Sequence, residues 1–200
     1  MIRISSLSKA FGDNRLFDHL SFTLSPGFYC LTGPSGCGKT TLGRLLIGLE
    51  KPDQGTVTGI IGNPVVLFQE PRLLPTLSAL QNVACPSNRK EATRDAADLL
   101  GQLGFDDDDI NKKPSELSGG MKQRVAIARA LLFAAEHPGN FALLDEPFRG
   151  LDPAIKQTTA ALLRDALAGR SVLVITHDEE DIQLLNGIRL TFYQMQDGIC

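Results

Sequence analysis

Residues 33–41 read GPSGCGKTT, and the rest of the fold can be predicted outward from this segment. It fits the pattern G-x-x-x-x-G-K-[ST], in which the backbone amides of a glycine-rich loop surround phosphate groups. A short apolar run rich in β-forming residues, 28–32, precedes it, and residues 42–48 follow it with apolar side chains at helical spacing. The loop is therefore predicted to join a strand to a helix, which is the context that supports a phosphate-binding loop. The alternative is a glycine-rich turn that merely precedes Lys39 and Thr40.

The residue types of this loop suit an anion. Gly33, Gly36 and Gly38 let the backbone adopt dihedral angles closed to other residues and pass close to phosphate oxygens. The amides then point inward, and the positive end of the following helix adds to their attraction for negative charge. Lys39 supplies a point charge for the β- and γ-phosphates, and the hydroxyl of Thr40 is a ligand for Mg²⁺.

Composition narrows the class of protein. The 200 residues suit one domain, or a domain with a subdomain, and 42% hydrophobic with 22% charged residues is typical of a soluble globular protein. A net charge of -3 gives no basic excess, so nucleic acid is not an expected partner. No apolar run reaches the ~18 residues that span a bilayer, and no signal peptide is visible, so any membrane role would need a partner. Cysteines 30, 37, 85 and 200 lack paired or metal-binding spacing, which favours free thiols in a reducing cytosol.

Hydrophobic periodicity predicts the elements before and after the loop. The predicted strands of the first third of the chain are 2–7, 20–24, 28–32, 56–61 and 65–68. Residues 62–64 are predicted as the turn of a hairpin between the last two strands, and residues 8–14 as a turn-rich loop. Phe11 in that loop either covers the edge of the core or offers a face on which adenine stacks.

The second half of the chain is predicted to begin with helices. Residues 76–104 carry apolar side chains along one helical face, and the acidic run 106–109 is a solvated loop because it lacks the alternation of an EF-hand. Ser118-Gly119-Gly120 opens a further helix. Its exposed amides suit an anion at the positive end of the helix dipole, although a plain cap made by Ser118 is the alternative.

Polar residues follow several predicted strands at the point where each ends. Gln69 follows one, Asp145 and Glu146 follow the apolar run 141–144, and His177 follows the strand 171–175. Open α/β sheets place ligand contacts at such strand ends. Asp145 is a candidate for holding Mg²⁺, mostly through water, and Glu146 for polarising the attacking water, although exposed acids at a strand end are the alternative. Residues 150–153 form a turn that begins the next helix, and the tail 188–199 gives one or two strands with a turn at residues 197–198.

Taken in order, these pieces resemble the nucleotide-binding subunit of an ATP-binding-cassette (ABC) transporter. The resemblance extends from Phe11 to Asp178 and rests on an ordered set: the loop, Gln69, Leu117-Ser118-Gly119-Gly120, Asp145-Glu146, Asp152 and His177. The segment 69–75, with Met121 after the signature, is similar to the importer branch for nitrate, sulfonate and taurine.

The family implies an α/β fold: a P-loop NTPase core with a mixed sheet, an antiparallel β-subdomain and a helical subdomain. It implies one ABC ATPase domain over residues 1–200, with 1–75 and 135–200 forming the core and β-subdomain and 76–134 the helical subdomain. Met121 stands where the family most often has Gln, the stretch between Gly55 and Gln69 is shorter than usual, and Arg149-Gly150 replaces a frequent Ser-Ala.

The family also implies roles in catalysis. Glu146 would be the general base for water, and Lys39 and His177 would contact the γ-phosphate. Mg²⁺ would lie among Thr40, Gln69 and Asp145. The implied contacts with ATP are Phe11 on adenine, then Gly33, Pro34, Ser35, Gly36, Cys37, Gly38, Lys39, Thr40, Thr41 and Gln69, with Ser118, Gly119 and Gly120 reaching the ATP of a second copy.

The implied partners are a second ATPase subunit, forming a homodimer when ATP is bound, and a transmembrane permease with a substrate-binding protein in importers. The chain would sit on the cytoplasmic face of the membrane through the permease. ATP-driven closure of the dimer would move the permease, a ligand-driven population shift. The alternatives are a soluble non-transport ABC ATPase and the motor of an exporter.

Overall fold

The computed structural model describes residues 1–192. Its contacts group the chain into two compact units. The first unit comprises Met1–Pro64, Gly139–Asp145 and Ala168–Cys200, and the second comprises Val65–Pro138 and Glu146–Leu167. The subdomain division inferred from the sequence, with limits at residues 76 and 134, stays a prediction.

Strands dominate the first third of the chain, helices follow, and the two alternate from residue 119 onward, a mixture that places the fold in the α/β class. The strands are β1 Ile2–Phe11, β2 Asn14–Leu24, β3 Gly27–Thr32, β4 Gln54–Thr58, β5 Val65–Leu67, β6 Phe141–Asp145, β7 Ser171–Ile175 and β8 Ile188–Thr191. The helices are α1 Lys39–Leu46, α2 Ala79–Ala84, α3 Ala92–Gln102, α4 Gly119–Glu136, α5 Pro153–Ala166 and α6 Glu179–Leu184, with 3-10 turns at Asp109–Asn111 and Pro114–Glu116.

A parallel sheet carries the core of the first unit. Those of its strands that belong to the first unit lie in the order β6-β7-β3-β8, and every residue of β6 and β7 is buried, as expected of a parallel sheet covered on both faces. Helix α1 packs closely because Gly43 has no side chain: a Cβ there would lie 2.9 Å from the δ carbons of Leu143. Since Leu31 and Asp145 both pair with Ile175, the strands end together at one edge of the sheet.

An antiparallel sheet forms the rest of the first unit, and it corrects two sequence predictions. Its order is β2-β1-β4. The hairpin predicted between residues 56–61 and 65–68 is wrong, because β4 pairs with β1, Ile4 opposite Val57, and the chain leaves this sheet after Thr58. Residues 59–61 are instead fastened to Asn140, whose side chain accepts a hydrogen bond from the Ile61 amide at 2.8 Å.

The loop predicted over residues 8–14 is also wrong. Strand β1 continues to Phe11 and turns through Gly12, which has φ +58°, into β2 at Asn14. The β1–β2 pairing shifts register between Ile4 and Leu7 and again on both sides of Lys9. Bulges of this kind interrupt the alternation of apolar and polar residues, which is the signal that sequence reading depends on.

The second unit is mainly helical. The helical stretch predicted over residues 76–104 is divided, since α2 ends at Ala84 and α3 begins at Ala92, with Pro86 between them. The capping box of Ser78 and Gln81 starts α2. Helix α4 begins after Ser118, as predicted, and lies at the centre of this unit with both α2 and α3 against it. No helix in the described part of the chain has the length and apolar character needed to cross a membrane.

The end of the chain is described only in part. Strand β8 pairs with β3 in parallel, Leu190 opposite Leu31, which confirms a strand in the predicted tail. The turn predicted at residues 197–198 lies outside the described residues.

Candidate phosphate-binding site

The glycine-rich loop lies between β3 and α1, which confirms the predicted strand–loop–helix order. Gly33, Gly36 and Gly38 have φ values of +155°, +80° and +101°, a region that side chains disfavour. Gly38 is buried, and a Cβ there would lie 2.8 Å from the Phe17 ring. Both backbone conformation and space therefore require glycine at this position.

The Lys39 ammonium is held within the loop. It donates hydrogen bonds to the carbonyl oxygens of Gly33 at 2.7 Å and Pro34 at 2.8 Å. It also lies 3.8 Å from the Cys37 sulfur. The Lys39 ammonium therefore belongs to the same loop as the backbone amides, and an anion bound there would be attracted by both.

Two oxygen ligands meet beside the loop. The Thr40 hydroxyl at the start of α1 donates to the Asp145 carboxylate at the end of β6 over 3.4 Å, although 105 positions separate them. Asp145 is 6% exposed, so its charge is mostly withdrawn from water. Hydroxyl and carboxylate oxygens are ligands that Mg²⁺ prefers, so this pair fits that ion.

The surroundings of the pair suggest how a metal would be held. No group of three or more His, Cys, Asp or Glu that could hold a metal ion exists among residues 1–192. Mg²⁺ is commonly bound through one or two protein ligands, with phosphate and water oxygens completing the shell. The arrangement therefore suits a metal that arrives with a phosphate compound.

His177 lies at the carboxyl end of β7, at the same edge of the sheet, and is exposed. The backbone around it is fixed, because the buried Thr176 hydroxyl donates to the Asp181 carboxylate and accepts from the Asp178 amide at 3.1 Å. The Asp178 side chain in turn accepts from the Glu180 amide and caps α6. These contacts hold the turn that presents the imidazole.

Phe11 lies at the end of β1 with half of its surface, 51%, exposed. The Lys9 ammonium lies over one face of the ring, 4.9 Å from its centroid. Such exposure disfavours a role in covering the core. It favours the alternative that the sequence left open, an aromatic face available to a ligand.

The signature residues lie in the second unit. Ser118 caps α4, its hydroxyl accepting from the Met121 amide at 3.2 Å, and both Ser118 and Gly119 are exposed. Gly120 approaches Gly150 so closely that a Cβ there would lie 2.5 Å from its carbonyl oxygen. The helix cap made by Ser118, which the sequence analysis gave as the alternative, is therefore present. The cap uses the Met121 amide, so it does not occupy the amides of the exposed Ser118 and Gly119.

Glu146 and Gln69 also belong to the second unit, with Gln69 exposed. Glu146 is half-buried with φ +50°, a conformation that side chains rarely adopt. The buried Gln123 side chain donates to the carbonyl oxygens of Glu146 at 3.3 Å and Pro147 at 3.0 Å. Asp152 caps α5 by accepting from the Ala154 and Ile155 amides, each at 3.1 Å.

Sequence reasoning missed Gln123, which supports the backbone around Glu146. It also missed Asn82, whose side chain bonds both the amide and the carbonyl of Leu74 and so holds the segment after Gln69. Both side chains are almost fully buried. A polar residue on the apolar face of a predicted helix is a signal that could have found them.

Known proteins resemble this chain both in sequence and in fold. The family model described as ABC transporter matches residues 17–149. An aliphatic sulfonates import ATP-binding protein of Rhodococcus jostii is 40% identical over 184 residues, covering 90% of this chain and 66% of the relative. One of Nocardia farcinica is 41% identical over 185 residues, covering 90% of this chain and 73% of the relative. The solved dimeric structure of a bacterial ABC transporter cassette has a TM-score of 0.80 at 28% identity, covering 96% of this chain and 95% of that one.

The family match and the likeness to solved cassettes, together with the glycine-rich loop between β3 and α1, define the class of protein, an ATP-binding P-loop ATPase. Within that class, the chain belongs to the ABC transporter family. It spans from about two thirds to about three quarters of the length of the two relatives just described.

Proposed function

We propose that this chain is the ATP-hydrolysing motor of an importer for a small solute, with two copies closing around ATP to move a membrane permease. The observation that carries the proposal is the contact of Thr40 with Asp145 beside the loop that holds Lys39. The names of the two import relatives support import over export or a soluble role.

The phosphates of ATP would be bound by residues 33–41. The positive-φ glycines, the amino end of α1 and the Lys39 ammonium all favour an anion there. Phe11 would stack on adenine, and Gln69 would join Thr40 and Asp145 at the metal. Mg²⁺, when bound with ATP, would neutralise charge on the phosphates.

Glu146 is the proposed general base. A carboxylate next to Asp145 in sequence, on backbone tied by Gln123, is suited to accept a proton from water. His177 would contact the γ-phosphate from the fixed turn between Thr176 and Asp178. Together with Lys39 these residues form the proposed catalytic set.

The proposed second half of each site comes from another copy of the chain. Ser118 and Gly119 are exposed at the start of α4, and Gly120 adjoins Gly150. Exposed amides at the positive end of a helix suit the γ-phosphate held by a partner. A related cassette has been solved as a dimer, which supports this arrangement.

The importer role can be tested by reconstitution. We expect this chain, combined in vesicles with a permease and a substrate-binding protein of an aliphatic sulfonate importer, to drive ATP-dependent uptake of an alkanesulfonate. The physical reason is that ATP-driven closure of two copies can move a solute only through a permease that spans the membrane. The measurement is uptake of labelled substrate with and without ATP. Purification of the chain with ribosomes or DNA, and no uptake, would instead support the soluble alternative.

The loop assignment can be tested through Cys37. We expect a bulky maleimide on this half-buried thiol to block ATP binding, and bound ATP to slow the labelling. Cys30 is buried, and burial raises the pKa of its thiol to about 12, so it stays protonated and unreactive. Labelling is measured by mass spectrometry in a chain with Cys85→Ser and Cys200→Ser, because Cys85 is exposed. Modified protein that bound ATP normally would contradict the assignment.

A further inference from the structure

Strand β1 carries a lysine that sequence reasoning did not single out. Lys9 is only 8% exposed, which is unusual for a lysine. Its ammonium donates to the Lys51 carbonyl at 2.9 Å and forms ion pairs with Glu50 at 2.9 Å and Asp53 at 3.3 Å. All three of its N–H donors therefore have an acceptor, and the charge is fixed in one place. The hydrogen bond to Glu50 is the main cause that raises the pKa of Lys9.

The three partners of Lys9 belong to one turn, residues 50–53, and this turn also fixes the backbone next to Phe11. The Asp53 carboxylate accepts from the Ala10 amide at 2.7 Å, and the Asp53 amide donates to the Ser8 carbonyl at 2.9 Å. The β1–β2 register shifts on both sides of Lys9. Shifts of this kind commonly re-aim a side chain, and the Lys9 ammonium between them lies over one face of Phe11.

This turn continues directly from the phosphate-loop helix. The amides of Leu49 and Glu50 donate to the Arg44 carbonyl in α1 at 2.9 and 3.2 Å. On the other strand of the hairpin, the buried Phe17 lies opposite Lys9 and fills the space beside Gly38. Two chains of contacts thus fix the Phe11 segment relative to the phosphate loop.

We infer that Lys9, held by the turn 50–53, is a positioning residue. It orients the Phe11 ring for stacking on the nucleobase, while residues 33–41 bind the phosphates. The ammonium occupies one face of the ring, so the base stacks on the other. This inference rests on the proposed function and adds a determinant of base affinity to it. Lys9 acts through Phe11 and touches no ligand itself.

The test separates base binding from phosphate binding. Binding constants are measured by calorimetry for a nonhydrolysable ATP analogue and for inorganic tripolyphosphate, which has no base. We expect Phe11→Ala to weaken binding of the ATP analogue by roughly 5-fold or more. Lys9→Met is expected to weaken binding of the same analogue by about 3-fold. Neither substitution should change the affinity for tripolyphosphate. Lys9→Arg should bind the ATP analogue with the wild-type affinity, because it keeps the charge.

A double-mutant comparison gives the decisive readout. If Lys9 acts through the ring, Lys9→Met has no further effect once Phe11 is Ala. Lys51→Met is the matched control, since it removes an exposed charge from the same turn. Equal losses for both ligands, or additive effects of the two changes, would overturn the inference.

A second variant and the behaviour of the wild-type chain separate an unstable protein from a wrong inference. If Lys9→Met lowers the melting temperature too far for binding work, Asp53→Asn loosens the same ammonium while keeping the shape of the turn, and the same pattern is expected. A wild-type chain that binds neither ligand, or binds both regardless of Lys39, would instead contradict the proposed function. Failure of the proposed function is thereby distinguished from failure of the Lys9 inference.

Discussion

Glu146→Gln is expected to lower the rate of ATP hydrolysis by about 10²–10⁴-fold, the contribution typical of a general base. The amide has nearly the shape of the carboxylate but cannot accept the proton of the attacking water. The strained backbone at φ +50° and the hydrogen bond from Gln123 to the Glu146 carbonyl involve no carboxylate oxygen, so both should survive. Single-turnover hydrolysis with excess enzyme isolates the chemical step.

The same variant should still bind ATP, and the proposed dimer should then persist. Light scattering with and without ATP measures this, and we expect a stable dimer only with ATP. Glu91→Gln is the matched control, because Glu91 is exposed and its side chain makes no cap hydrogen bond at α3. Normal hydrolysis in Glu146→Gln would show that the base lies elsewhere, and a monomer that binds ATP would count against the shared site.

Lys39→Met is expected to weaken ATP binding by about 10- to 100-fold, since hydrogen bonds to charged groups contribute about 1.5–3 kcal/mol. The ammonium now lies on the Gly33 and Pro34 carbonyls, from which it would turn to the phosphates. Both carbonyls belong to exposed residues, so water can replace the lost donor and the fold should remain stable. Calorimetry with a nonhydrolysable ATP analogue measures the loss.

Lys90→Met provides the comparison for a lost surface charge, because Lys90 is exposed and lies in the other unit. Its affinity and melting temperature should match those of the wild type. Unchanged affinity in Lys39→Met would mean that the loop is not the phosphate site. A large fall in melting temperature would indicate that the lysine mainly supports the loop conformation.

Much of the fold could be predicted because its signals are local. The strand–loop–helix at residues 28–46, the cap at Ser118 and the turn into α5 at Asp152 each depend on neighbouring residues. The hairpin over residues 56–68 was wrong for a related reason. Turn residues at 62–64 resemble a hairpin turn, but the partner of β4 is the distant strand β1.

The class of protein follows from the residues alone, because a phosphate loop is a short run whose residue types already dictate its backbone. The residues also show which polar side chains end the strands. The contact between Thr40 and Asp145, 105 positions apart, and that between Lys9 and the turn 50–53 became visible only once the chain was folded. Those contacts depend on strand order and on register shifts, and neither produces a hydrophobic periodicity that can be recognised in the sequence.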